Sequence, residues 1–200
     1  MAKILILFAH PALEKSRVHV TLINIIKGIP GITVHDLYEI YPDMNIDVDR
    51  EQALLTQHDI IFFQYPLYWY SPPAIIKQWQ DLVLEHGWAY GHTGKALSGK
   101  WTGNVLSTGS GKDAYLPGGH HGHTLAEFLV PFKQTARLCN MTFLPPFVIH
   151  GTHRMRREEV PFFCEHFGSI LEGLRDDRYT PEMIAQAVYL NDLHDLGKAD

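Results

Sequence analysis

The chain passes between two patterns: short continuous apolar runs, and longer stretches in which apolar residues recur every three or four positions. Residues 3–9 form the first run, of strand length and without a polar face, as expected for a strand covered on both sides. Ser16 is placed to cap a helix in which Val18, Leu22, Ile25 and Ile26 share a face, and Lys27-Gly28 ends the pattern. Residues 32–37 read as a second strand, 50–57 as a helix with Ala53 and Leu54 inward, and 59–64 as a third strand. Ser71-Pro72-Pro73 opens a helix whose Ile75, Ile76, Trp79, Leu82 and Val83 make one stripe. Beyond a glycine-punctuated loop, residues 100–107 predict a fourth strand broken at Gly103, and 124–139 a helix kinked at Pro131. Residues 142–151 predict a fifth strand interrupted by Pro145-Pro146, 158–174 a helix, and 180–193 a last one.

Alternating strand and helix with strands this apolar predicts an α/β fold: a five-stranded parallel sheet with helices on both faces. The 200 residues suit a single domain, 1–200, with a C-terminal helical extension from about 180. Ligands of such sheets bind beyond the carboxyl ends of the strands. Three loops belong there, at 10–16, 65–71 and 107–119. The middle one carries Tyr65, Tyr68, Trp69 and Tyr70, unusual in a turn, so the rings either fill the core or offer flat faces to a flat ligand. The first leads into a helix N-terminus, where Ser16 either simply caps or, with Arg17 and His10 adding positive charge, helps to hold a phosphate. The third, Ser107-Thr-Gly-Ser-Gly-Lys-Asp-Ala-Tyr115, is glycine-rich enough for backbone N–H groups to approach a ligand.

Other features narrow the classes. There is no Gly-x-Gly-x-x-Gly and no complete Walker A motif, which disfavours a Rossmann dehydrogenase or an ATPase. A net charge of −5 without a Lys/Arg block argues against nucleic acid as a partner. No apolar stretch approaches the roughly 20 residues of a membrane span and the start lacks a signal peptide, so a cytoplasmic protein is expected. Cys139 and Cys164 read as reduced, buried thiols. His120, His121 and His123 lack the carboxylate or cysteine that would complete a metal set, so no metal is expected, with a metal-dependent hydrolase as a weaker rival. Asp47, Asp49 and Glu51 read as solvent-facing charge.

A flat heteroaromatic ring that carries a phosphate fits the three loops together, and a flavin is such a molecule. His10-Pro11, Ser16 to His19, Tyr41-Pro42-Asp43, Pro66 to Pro73, Gly87-Trp-Ala-Tyr-Gly91, residues 94–100, Ser107-Thr-Gly109 and Leu144-Pro-Pro-Phe147 together resemble the flavodoxin-like NAD(P)H:quinone oxidoreductases. The resemblance is closest to the bacterial ancillary proteins of glutathione-regulated potassium-efflux systems. It implies a sheet order of 2-1-3-4-5, FMN (alternatively FAD), NAD(P)H as co-substrate, and two-electron reduction of a quinone. A regulatory subunit on the cytosolic face of a potassium-efflux antiporter, peripheral to the membrane, is the rival it carries. His10, Ser16, Arg17, Val18 and His19 resemble the flavin phosphate loop; Pro66, Leu67, Tyr68, Trp69 and Tyr70 with Ser107, Thr108, Gly109 and Ser110 resemble the ring-binding loops. Tyr115 and His121 stand at the family's catalytic pair, with Trp69, Tyr90 and His121 towards the substrate. Trp88-Ala89-Tyr90 resembles the segment that reaches a partner's pocket, which implies a homodimer. His153 to Arg157 reads as a solvated basic turn, with NADPH phosphate binding as its functional alternative.

Overall fold

A computed structural model describes residues 1–193. The order is β1 (Ile4–Phe8), α1 (Arg17–Ile26), β2 (Ile32–Asp36), α2 (Leu37–Ile40), α3 (Val48–Thr56), β3 (Ile60–Pro66), α4 (Ala74–Val83) and β4 (Trp101–Ser107). It continues with α5 (Leu125–Phe128), α6 (Val130–Leu138), β5 (Thr142–Phe143), β6 (Phe147–Ile149), α7 (Val160–Arg175) and α8 (Pro181–Gln186). All pairings are parallel, in the order β2-β1-β3-β4-β5, with β6 also on β4. Thr142 lies opposite Trp101 and Phe147 opposite Val105, so β5 and β6 are two pieces of one fifth position. Pro145-Pro146 separates them, because neither proline has an N–H to give to β4.

The sheet divides two apolar layers. Ile4, Ile6 and Phe8 face α1 and α7, while Leu5 and Leu7 face the layer holding Leu55, Ile75, Trp79 and Phe132. β1 is fully buried along its length, which is why its sequence shows no alternation. Asn191 covers the outer edge of β6: its side chain accepts from the Val148 N–H at 2.9 Å and donates to the Val148 carbonyl at 3.1 Å, imitating a neighbouring strand. Among the described residues no helix is long and apolar enough to cross a membrane.

Several expectations shift. The 124–139 stretch divides at Leu129 rather than kinking at Pro131, and Pro131 falls in the first turn of α6, where a missing N–H is harmless. The last helix stops at Gln186, and Leu190–Asp192 follows as a separate 3-10 turn. Leu82 is exposed. Asp47 caps α3, so that helix starts two residues earlier than its periodicity suggests. Ala53 faces outward, while Glu51 and Leu55, four apart, share the inner face.

Glu51 is therefore the opposite of a solvated charge: it is 0% exposed. Its Oε1 accepts from the Tyr41 hydroxyl and pairs with His35 Nε2, both at 2.7 Å, and its Oε2 accepts from Trp79 Nε1 at 2.8 Å. One carboxylate thus joins β2, the loop after α2, and α4. Burial alone would raise its pKa, yet the donors of His35, Tyr41 and Trp79 outweigh burial and hold it below the usual carboxylate range. Because the folded value lies below the unfolded one of about 4.3, ionised Glu51 contributes stability above that pH, and the contribution is lost as pH falls through the folded value. Glu51→Ala strands three buried partners and is expected to cost about 3 kcal/mol or more in urea unfolding at neutral pH. A cost under about 1 kcal/mol would show that water replaces the carboxylate.

Candidate functional site

Four loops meet at the carboxyl edge of the sheet. Beyond β1, Ser16 caps α1 by accepting from the His19 N–H at 3.1 Å. The N–H groups of Arg17 and Val18 find no partner among the described residues and border a cavity of about 580 Å³ with His10, Lys15 and Ser16. These donors, the helix dipole and the Lys15 and Arg17 cations make this end of the cavity electrostatically suited to an anion. The expected positive charge on His10 is absent. His10 Nδ1 accepts from the Ala12 N–H at 3.1 Å, and burial lowers its pKa, leaving a neutral ring. Neighbouring His19 is pushed down to about 3 by burial; its Nε2 lies 2.9 Å from Ser107 Oγ and its buried Nδ1 has no partner among the described residues. Arg17 is partly engaged, donating to the Thr152 and Met155 carbonyls at 3.3 Å each.

Beyond β3 the chain reverses in a tight turn closed by the Ser71 N–H donating to the Tyr68 carbonyl at 3.0 Å. Trp69 and Tyr70 occupy its centre with φ of +50° and +63°, the left-handed region that glycine or asparagine normally fills in such turns. Tyr70 has an anchor: its ring stacks on Phe128 with centroids 4.9 Å apart, and its hydroxyl lies 3.3 Å from His121 Nδ1. Trp69 has none and is 93% exposed. The question left open by the aromatic cluster is thereby answered residue by residue. Tyr65 is core, stacked on Phe132, whereas Trp69 and Tyr70 face the cavities.

Trp69, Leu67, Gly109 and His153 border both the first cavity and a second of about 880 Å³. Tyr115 and His121 line the second, with ring centroids 4.5 Å apart, and His121 Nε2 lies 3.0 Å from Ser110 Oγ. Both histidine nitrogens are thus engaged, which fixes the ring. Burial raises the Tyr115 pKa, partly offset by hydrogen bonding with Thr108 and Ser110. Backbone N–H groups of Trp69, Tyr70, Gly109 and Ser110 have no partner among the described residues. A wall of unpaired amides beside a slot of rings matches a flat ligand with nitrogens and carbonyls on its edge, and the neighbouring helix N-terminus matches its phosphate. A flavin mononucleotide fits this donor set.

Not every expected residue faces the site. Thr108 is buried behind it: its hydroxyl donates to the Ser110 carbonyl at 2.9 Å and lies 3.1 Å from His150 Nδ1. Val18 contributes backbone while its side chain joins the core. Tyr90 borders neither cavity of this chain and packs edge-on against His86. His123 is turned away, 3.3 Å from Glu127, and the described residues hold no cluster of three metal-ligating side chains. A fourth loop, Gly151 to Arg154 beyond β6, also borders the cavities, as the rule of the carboxyl edge requires of that strand; it includes the start of the basic turn whose functional alternative is NADPH phosphate binding. The turn is solvated as expected, with His153 and Arg154 exposed, and the His153 ring also lies so close over Gly109 that a Cβ there would clash with it.

A family described as having a flavodoxin-like fold matches residues 2–162. The chain belongs to that family. Among relatives, it is 47% identical to an uncharacterized NAD(P)H oxidoreductase, YrkL, of Bacillus subtilis over 86% of this chain and 98% of the other. It is 43% identical to the glutathione-regulated potassium-efflux system ancillary protein KefG of Cronobacter sakazakii, over 80% of this chain and 86% of that one. Among solved structures, general stress protein 14 of Treponema denticola in complex with FMN superposes with a TM-score of 0.82 at 40% identity, covering 86% of this chain and 99% of that one. An NADPH-quinone reductase from P. pentosaceus gives 0.76 at 33% identity, covering 84% and 96%.

The aromatic turn generates a test. Trp69→Gly removes a solvent-facing ring and a left-handed backbone cost while loosening the unfolded chain, so stability is expected to stay within about 1 kcal/mol of wild type. A loss of several kcal/mol in denaturant unfolding would show that the indole supports the fold.

Proposed function

We propose that this protein is an FMN-dependent NAD(P)H:quinone oxidoreductase. The observation that carries the reading is the juxtaposition of unpaired amides on the 67–70 and 107–110 loops with the Tyr115–His121 pair, next to an anion site at the α1 N-terminus. Similarity to an FMN-bound structure and to an NADPH-quinone reductase supports it. Bound here, the flavin would supply the hydride-accepting and hydride-donating chemistry.

The chain supplies position, polarity and proton traffic. Arg17, Val18, Lys15 and Ser16 hold the phosphate, which fixes the ligand in register with the ring-side loops. The unpaired Trp69, Tyr70, Gly109 and Ser110 amides would hold the edge of the ring and, as fixed dipoles, would favour the form that carries more negative charge there. His121, braced by Ser110 and Tyr70, and Tyr115, braced by Thr108 and Ser110, hold a proton beside the acceptor and exchange it with solvent. Tyr68, Trp69 and Tyr70 make a rim that suits a flat apolar acceptor such as a quinone.

The dimer belongs to the same reading. Tyr90 is outside this chain's own cavities, so the substrate role assigned to Trp88-Ala89-Tyr90 requires a second copy. Similarity to KefG supports docking of such a dimer on the cytosolic face of a potassium-efflux system, with catalysis and regulation as compatible roles.

The purified protein is expected to be yellow, to release FMN on denaturation, and to oxidise NADPH faster when a benzoquinone is added. A preparation that neither holds nor takes up flavin overturns the reading. Tyr115→Phe and His121→Asn are expected to lower kcat by about 10–100-fold with flavin retained. Undiminished kcat in both variants would remove the pair from the chemistry.

A further inference from the structure

The two joined cavities are bordered by three permanently or normally charged cations, Lys15, Arg17 and Arg154, and by no aspartate or glutamate, although the whole chain carries a net charge of −5. Lys15 and Arg17 lie at the α1 end and are accounted for by the flavin phosphate. Arg154 is different: it borders only the ring-side cavity, beside His120 and His121, where the flavin presents no phosphate. That cavity, about 880 Å³, is at the upper end of the range for a small-molecule site, with room for a second ligand beside a ring.

The backbone around Arg154 is tied down on both sides. Gly151 donates to the Ser110 carbonyl at 2.9 Å, Thr152 to the Thr108 carbonyl at 3.0 Å, and Arg154 itself to the Gly151 carbonyl at 2.9 Å. The Arg17 guanidinium clasps the Thr152 and Met155 carbonyls, which flank Arg154 in sequence. Yet the Arg154 side chain makes no hydrogen bond or ion pair among the described residues, in contrast to Arg156, which is occupied by Glu158 and Glu159. A guanidinium on an anchored loop, unpaired and facing an acid-free cavity, is arranged for an anion that arrives with a ligand.

We propose that Arg154 binds a phosphate of the nicotinamide nucleotide and so sets nucleotide affinity. This rests on the oxidoreductase reading above, in which the ring-side cavity receives the nicotinamide. The shared chemistry is a phosphate on an adenine dinucleotide, and two sources exist: the 2′-phosphate of NADPH and the pyrophosphate common to NADPH and NADH.

The test measures kcat and KM with NADPH and with NADH, at fixed benzoquinone, for wild type, Arg154→Gln and Arg154→Lys, with bound FMN followed by absorbance. Arg154→Gln is expected to raise the KM for NADPH about tenfold with FMN still bound, and Arg154→Lys to recover part of it. A rise confined to NADPH assigns the 2′-phosphate; an equal rise for NADH assigns the pyrophosphate. Unchanged KM for both nucleotides, or loss of FMN with normal KM after reconstitution, overturns the proposal. Wild-type protein that oxidises neither nucleotide would instead sink the oxidoreductase reading.

Discussion

β3 is hydrogen-bonded on both sides, in register with β1 from Ile4↔Ile60 and with β4 as far as Pro66↔Ser107, and all seven of its residues are buried. A parallel strand with no free edge and no free face must send its chain out at the carboxyl end, between the loops of its neighbours. That constraint places the 67–73 segment in the middle of the site. The tight turn at Tyr68 to Ser71 follows, because the chain has to reverse within a few residues to start α4 on the far layer. Trp69 and Tyr70 occupy backbone positions that cost non-glycine residues of order 1 kcal/mol or more each. Tyr70 offsets its cost by stacking on Phe128; Trp69, nearly fully exposed, does not. Trp69 is thus both strained and unpacked at the border of the two cavities.

The strand runs of β1 and β3 were readable because both are buried on both faces, so their apolar character has no competing pattern. The meeting of the loops was readable for a related reason: topology sends the segments after β1, β3 and β4 to one edge, and their rings, glycines and helix cap border the same two cavities. The resemblance then supplied the Tyr115–His121 pair, which spacing alone would not have selected from a histidine-rich stretch.

What was not readable depends on registration and on the third dimension. Glu51 looked like surface charge because an acid in a polar stretch is normally solvated, and nothing in the sequence says that His35, Tyr41 and Trp79 converge on it. Arg154 is exposed, as its basic and polar run suggests, but nothing in the sequence says that Arg17 clasps the Thr152 and Met155 carbonyls around it. Thr108 looked like a ligand contact because it lies between Ser107 and Gly109, yet its hydroxyl is taken by the Ser110 carbonyl and His150.

The distribution of charge separates the histidines from the cations. Thirteen histidines invite the expectation of a site whose charge changes near neutral pH. Burial removes that behaviour where it would matter most: it lowers His10, pushes His19 down to about 3, and pushes His150 to about 4 with Lys112 adding to the effect. These rings act as neutral hydrogen-bonding spacers. Positive charge at the cavities falls to Lys15, Arg17 and Arg154, and an arginine stays charged at any pH a protein survives. Fixed charge at these cavities therefore comes from lysine and arginine, and Tyr115 and His121 stand together at the wall of the ring-side cavity.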